Sequence, residues 1–204
     1  MTEDLSYLTP VKKIRYRFTV QGSRFIATLV PVLSGKAFQG ILADITAEFP
    51  DATHHTFAYR IGIGSSLVER FSDDREPAGT AGRPILQALQ GNNVSDAGLI
   101  GTRYFGGTRL GIGGLKRAYR DCARLCLEEA VLKKKEQVEA YQLQLCYEDL
   151  RKVTRLLESL EGEVNESFYS DKVLLKVSVP VRTGEKLQQG FNSACRGRGS
   201  WEKL

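Results

Sequence analysis

No stretch of this sequence is long and apolar enough to cross a membrane. The longest run free of Asp, Glu, Lys and Arg covers residues 84–95, only 12 residues, against the roughly 20 apolar residues that a spanning helix needs. Cysteine is scarce, four in 204 residues, which excludes a disulfide scaffold. Cys122 and Cys126 lie one helical turn apart, Cys146 and Cys195 stand alone, and none forms a CxxC pair. Buried thiols are therefore expected rather than a zinc site. The opening MTEDLSYLTP begins acidic and has neither a basic n-region nor an apolar core. No secretory signal is expected from it, and a reducing, cytoplasmic setting is. Internal repeats and low-complexity tracts are absent.

Catalytic patterns are equally scarce. The two histidines, His54 and His55, are adjacent. Neighbouring strand residues point to opposite faces, so only one of them can join any given site. No HExxH, H-x-E or EF-hand spacing is present, and Ser65, Ser66 and Ser72 have no evident histidine partner. No catalytic residue, metal or cofactor is expected, and the chain reads as non-enzymatic.

What remains is ordinary globular composition, 42% hydrophobic and 26% charged, with length for one or two domains. The pattern predicts strands over 11–18 and 25–32 about a turn at Gln21-Gly22. A helix capped by Ser34 follows to about residue 49, then strands over 54–63 and 67–71. A turn-rich loop over 72–84 leads to a short helix over 84–89 and a strand over 97–105. The strongest helix spans 114–131. The lysine-rich 133–137 reads as a linker between domains at 1–132 and 138–204. The second half then runs strand 139–147, helix 149–160 with Asp149 as N-cap, a hairpin over 164–179, helix 183–194 and strand 200–204. This βαββαβ order is the ferredoxin-like one, and the whole chain reads as α+β.

Two segments carry chemistry. Seven of the 20 glycines fall between Gly98 and Gly114, five of them in GGTRLGIGG, residues 106–114. Glycine permits positive φ and lets successive N–H groups converge, and the loop ends at a helix N-terminus, which favours an anion. The spacing is neither a Walker A motif nor GxGxxG, so a plain strand-to-helix connection is the competing reading. The helix adds weight. At 100° per residue, Lys116, Arg120, Arg124 and Arg117 fall at about 0°, 40°, 80° and 100°. Leu115, Ala118, Tyr119, Cys122, Leu125 and Cys126 occupy the opposite side. Residues 103–124 hold Arg103, Arg109, Lys116, Arg117, Arg120 and Arg124 against Asp121 alone, which is the entire net charge of +5. Such a localised patch points to an anionic partner. The predicted anion or nucleic-acid site is Arg103, Arg109, Lys116, Arg117, Arg120 and Arg124 with Gly111, Gly113 and Gly114. Tyr104 or Phe105 would add stacking while the other faces the core.

The second segment is the acidic loop FSDDREPAGTAG with Asp73, Asp74 and Glu76. Clustered carboxylates can hold a cation or act as acid and base. A tight turn in which Asp side chains bind nearby N–H groups explains the same residues.

FSDDREPAGTAGRPIL (71–86), GTRYFGGTRLGIGGLKRAY (101–119), ATHHTFAYRIG (52–62) and SRFIA (23–27) resemble the IMPACT family, and its bacterial YigZ-type members in particular. The resemblance covers nearly the whole chain, less sharply in the C-terminal third. It implies a first domain like domain 2 of ribosomal protein S5 and a ferredoxin-like second domain, similar in kind to domains IV and V of elongation factor G. The family's motif positions fall here on Arg24, His54, Asp73, Asp74, Glu76, Pro77, Gly79, Thr80 and Gly82. They continue through Arg103, Tyr104, Gly106, Gly107, Leu110, Gly111, Gly113, Gly114, Leu115, Ala118 and Tyr119. Arg75 departs from the pattern, because relatives usually have glycine there; a turn requiring positive φ would strain it.

The resemblance implies a factor linked to regulation of translation or stress. Eukaryotic relatives regulate translation initiation through a protein contact associated with a separate N-terminal domain, so that activity is not carried over. The expectation is a non-enzymatic cytoplasmic protein that engages RNA or a ribosome-associated partner, with no membrane. Two alternatives stand beside it. One is a phosphate-ligand enzyme that uses the glycine and acidic loops, as in small-molecule kinases of S5-like fold. The other is a protein-interaction module.

Overall fold

Alternation of side chains between two faces organises the first half. A computed structural model describes residues 6–204; the first five, on which part of the signal-peptide reading and the start of the predicted first domain fall, lie outside the described residues. The chain divides into two compact units, residues 6–135 and 136–204. In the first, β2 (Ile14–Val20) and β3 (Ser23–Pro31) form a hairpin around Gln21 and Gly22. Both turn residues have positive φ, as a two-residue turn matched to strand twist requires. Ser34 accepts from the Ala37 N–H at 3.2 Å and caps α1 (Gly35–Glu48). β4 (His54–Ile61), β5 (Val68–Ser72), α2 (Gly82–Gly91), β6 (Ala97–Tyr104) and α3 (Gly111–Glu128) follow.

These strands form an antiparallel sheet in the order β2-β3-β6-β4-β5. One face packs Phe25, Ala27, Leu29, Ala58 and Leu99 against α2 and α3. The other packs Val32, Tyr59 and Ile100 against Phe38 and Ile45 of α1. Covered on both sides, β6 buries every residue from 97 to 103, the pattern of a central strand.

The second unit contains β8 (Val138–Leu145), α4 (Tyr147–Ser159), β9 (Glu163–Tyr169), β10 (Val173–Pro180), α5 (Gly184–Cys195) and β11 (Ser200–Lys203). Its antiparallel sheet has the order β11-β8-β10-β9. Tyr141, Leu143, Leu145, Val173, Leu175, Val177 and Val179 face Val153, Leu157, Leu187 and Phe191 of α4 and α5. The chain is thus α+β, with antiparallel sheets and helices laid on them. No helix among the described residues is long and apolar enough to cross a membrane.

Several expectations need correcting. The predicted linker, 133–137, is largely structured: Leu132–Glu136 is a strand, β7, paired with an unanticipated N-terminal strand, β1 (Ser6–Pro10), and the division between the two units falls inside it, at 135/136. Lys135 is what a run of three lysines conceals, since its ammonium is held by the buried Asp96 at 2.6 Å. α2 begins two residues and α3 three residues before the predicted starts. Asp149 is not an N-cap. Cys146 holds that position, and Asp149 is fully buried in the first turn, gripped by Lys152 and Arg198 at 3.0 Å each. Cys122, Cys126 and Cys195 are buried free thiols and Cys146 is half-buried.

Candidate nucleic-acid interface

The site begins where β6 runs out. Gly106 crosses the β2–β3 turn so closely that a Cβ on it would lie 1.9 Å from the carbonyl carbon of Gly22. Its N–H donates to Ser23 Oγ at 3.2 Å. This glycine serves close backbone packing rather than a ligand. The glycines at the helix start differ. Gly111 takes φ +68°, and Gly111 and Gly113 are exposed. No side chain caps α3 at Leu110 and no acidic residue lies in its first turn. That end therefore presents unpaired N–H groups and the positive pole of the helix to solvent.

Along α3, Leu115, Ala118, Tyr119, Cys122 and Cys126 are buried. Burial pushes the Cys122 thiol up to about 12 and the Cys126 thiol up to about 11, so neither is a thiolate at neutral pH. Arg109, Lys116, Arg117, Arg120 and Arg124 are exposed. Arg120 lies 3.4 Å from Asp121 and Arg124 2.6 Å from Glu128, solvent-exposed pairs of little strength. Among the described residues, no carboxylate lies within ion-pair distance of Arg109, Lys116 or Arg117. Lys116, Arg117, Arg120 and Arg124 stand on α3, and Arg109 lies in the loop just before it.

Arg103 is a correction: it does not belong to that surface. Its side chain is buried and Nη1 donates to Glu76 Oε1 at 2.7 Å. Nη2 donates to Ser23 Oγ at 3.3 Å, and the guanidinium lies over the Phe25 and Phe105 rings. Register explains this. Phe25, Arg103 and His54 are direct partners across β3, β6 and β4, so they share the face that α3 covers. Tyr119 from α3 donates its hydroxyl to Glu76 Oε1 at 2.8 Å. Burial, then the adjacent Glu76 charge, pushes that hydroxyl's pKa far above its ordinary value. His54 Nδ1 lies 2.7 Å from the Asp74 carbonyl. A carbonyl only accepts, so Nδ1 carries the proton. Nε2 faces Glu76 Oε2 at 3.9 Å.

The remaining motif positions build a turn. Asp73 accepts the N–H groups of Gly79, Ala81 and Gly82 at 2.7, 2.9 and 2.8 Å, which ties the loop to the start of α2. Thr80 Oγ1 donates to the Pro77 carbonyl at 2.6 Å. Asp74 Oδ2 accepts the His55 N–H at 2.5 Å. Arg75 has φ +67° and points to solvent. All three acids are therefore engaged by protein groups. His55 reaches Thr102 and the Phe49 carbonyl instead, away from Glu76. No group of three His, Cys, Asp or Glu side chains among the described residues could hold a metal.

Neither Tyr104 nor Phe105 enters the core, contrary to expectation. The chain leaves the strand at Tyr104, whose hydroxyl donates to Asp51 at 2.9 Å and whose ring lies under Arg24 at 4.5 Å. Desolvation, then the Asp51 bond, raises its pKa. Phe105 is 49% exposed. Sequence reasoning also missed Arg83, which lines a cavity with Lys116 and Arg120. The spacing of Arg83 and Gln87 on one helix turn is visible in the sequence, but their meeting with α3 is not.

A two-unit α+β protein with an exposed cationic helix following a glycine-rich loop is the class these features define. Residues 21–127 match the Impact N-terminal domain, and residues 143–198 match a domain of unknown function, DUF1949. The chain is 35% identical over 177 residues to the IMPACT family member YigZ of Escherichia coli K12, spanning 86% of this chain and 87% of that protein. It is 33% identical to an IMPACT family member of Haemophilus influenzae, over 94% of each chain. The human Protein IMPACT is 31% identical over 115 residues, 54% of this chain and 35% of that protein. A crystal structure described as that of a hypothetical protein aligns with a TM-score of 0.72 at 32% identity, covering 98% of this chain and 97% of that one. The chain belongs to the IMPACT family.

Proposed function

We propose that this protein is a non-catalytic cytoplasmic factor of translation or stress regulation that binds RNA or a ribonucleoprotein through the exposed face of α3. One observation carries the reading: among the described residues Arg109, Lys116 and Arg117 stand exposed without a carboxylate partner, beside an uncapped helix start, with Arg120 and Arg124 further along the helix. Sequence-independent nucleic-acid binding rests on such phosphate-neutralising cations. Phe105 supplies an exposed ring for base stacking.

Fold-level support is of the same kind. The β11-β8-β10-β9 order with two helices on one face favours a ferredoxin-like second unit, and we read the first unit as S5 domain 2-like. A kinase-like alternative finds less support, because Asp73, Asp74 and Glu76 are spent on backbone N–H groups and on Arg103.

The test is fluorescence anisotropy of a labelled single-stranded RNA with wild type and with Arg109→Ala/Lys116→Ala/Arg117→Ala. All three side chains are exposed, so the variant folds. Binding by wild type that is lost in the triple variant is expected. Equal affinity of the two proteins overturns the assignment to α3.

A further inference from the structure

We infer that the groove between α2 and α3 is a receptor for a phosphomonoester, the terminal phosphate of an RNA strand. The inference rests on the RNA-binding reading above and adds a chemical preference to it.

The groove has a volume of about 480 Å³, within the range of small-ligand sites, about 300–1,000 Å³. Arg83 and Gln87 stand one turn apart on α2, and Lys116 and Arg120 one turn apart on α3. Residues four apart share a helix face, so each helix contributes a pair of side chains to the gap, and Ala78, Gly79 and Pro84 complete its lining. Every charged side chain lining the groove is a cation. Arg83 and Lys116 have no carboxylate within ion-pair distance among the described residues. Arg120 shares its charge with Asp121 at 3.4 Å, outside the lining.

The start of α2 abuts the groove, but it contributes little directly. Asp73 already holds the N–H groups of Ala81 and Gly82, and its carboxylate offsets the local helix field. The attraction therefore comes from three cationic side chains and the Gln87 amide. Such a set can donate to several oxygens at once.

Charge selects the ligand. A phosphomonoester carries roughly −1.5 to −2 at neutral pH, whereas a backbone phosphodiester carries a single charge. Three cations around one cavity suit the former. Arg109, Arg117 and Arg124 do not line the cavity and are left for diesters along the strand. A terminal phosphate in the groove would orient a strand whose following phosphates track α3.

The experiment compares a 3′-labelled RNA decamer bearing a 5′-phosphate with the same decamer bearing a 5′-hydroxyl. It uses wild type, Arg83→Ala and Arg117→Ala, with uridine 5′-monophosphate as a free ligand followed by NMR. The expected result is a wild-type preference for the phosphorylated strand of about fivefold or more. Arg83→Ala abolishes that preference and keeps the hydroxyl strand's affinity. Arg117→Ala weakens both strands alike. Equal wild-type affinity for the two strands overturns the inference and leaves the α3 reading standing. Uridine monophosphate shifting groove residues in wild type but not in Arg83→Ala, with no strand bound, supports a phosphomonoester site and overturns RNA as its source. No binding of any probe overturns both.

Discussion

Arg103 on β6 and Glu76 in the turn before α2 form a buried ion pair at 2.7 Å, with side chains 6% and 4% exposed. Ser23 and Tyr119 add hydrogen bonds to it, so the pair joins the β2–β3 hairpin, β6 and α3. Removing one partner leaves the other charge buried and unpaired. Glu76→Ala should therefore destabilise the protein by about 3–5 kcal/mol in urea denaturation. A loss under about 1 kcal/mol, the level of exposed pairs, would contradict the buried network.

At Arg75 the expected change is stabilising. Its φ of +67° is costly for a residue with a Cβ, about 1–2 kcal/mol, and its side chain is 80% exposed. Glycine relieves the strain and adds some unfolded-state entropy. Arg75→Gly should raise stability by about 0.5–1 kcal/mol, read as a higher Tm. A lower Tm would show that the Arg75 side chain contributes more than its backbone costs.

Gly106→Ala tests the close approach of the glycine loop to the β2–β3 turn. The new Cβ would meet backbone atoms at 1.9–2.2 Å, and the backbone yields less readily than a side chain. A loss of about 1–3 kcal/mol is expected, again by urea denaturation. A neutral substitution would mean that the loop moves freely.

Asp96 predicts an acid limb. It is buried, at positive φ, and accepts from Lys135 Nζ at 2.6 Å, Tyr7 Oη at 2.7 Å and the Gly62 N–H at 3.0 Å. Burial pushes its pKa up, but these hydrogen bonds outweigh burial and hold it below the ordinary 3.8. A depressed folded value means the stabilisation is present above the ordinary pKa and is lost as pH falls through the folded one. Asp96→Asn should thus lower stability at neutral pH and flatten its decline below about pH 4. Parallel pH–stability curves for the two proteins would contradict this.

How much the sequence disclosed depended on the kind of signal. The α3 stripe was legible because a 3.6-residue period separates Leu115, Ala118 and Cys122 from Lys116, Arg120 and Arg124, and the structure buries the first set and exposes the second. The Ser34 cap was legible for the same local reason. Arg103 was not, because nothing local distinguishes an arginine bound for a carboxylate 27 residues away from one bound for solvent. Register does, by lining up Phe25, Arg103 and His54. Lys135 was missed in the same way, since its partner Asp96 is 39 residues distant. The Arg83–Gln87 half of the groove was hidden until α2 and α3 were placed side by side. Local periodicity reached the helix faces, and non-local pairing decided which charges were free.

The most direct test of the α3 assignment is the salt dependence of RNA binding. Wild-type affinity for a single-stranded RNA would be measured by anisotropy between about 50 and 200 mM salt. Each phosphate neutralised contributes about 0.7 to the slope of log affinity against log salt. The account predicts a steep fall whose slope shrinks by about two phosphates' worth in Arg109→Ala/Arg117→Ala. An affinity that does not change with salt, or a slope the same in both proteins, would contradict it.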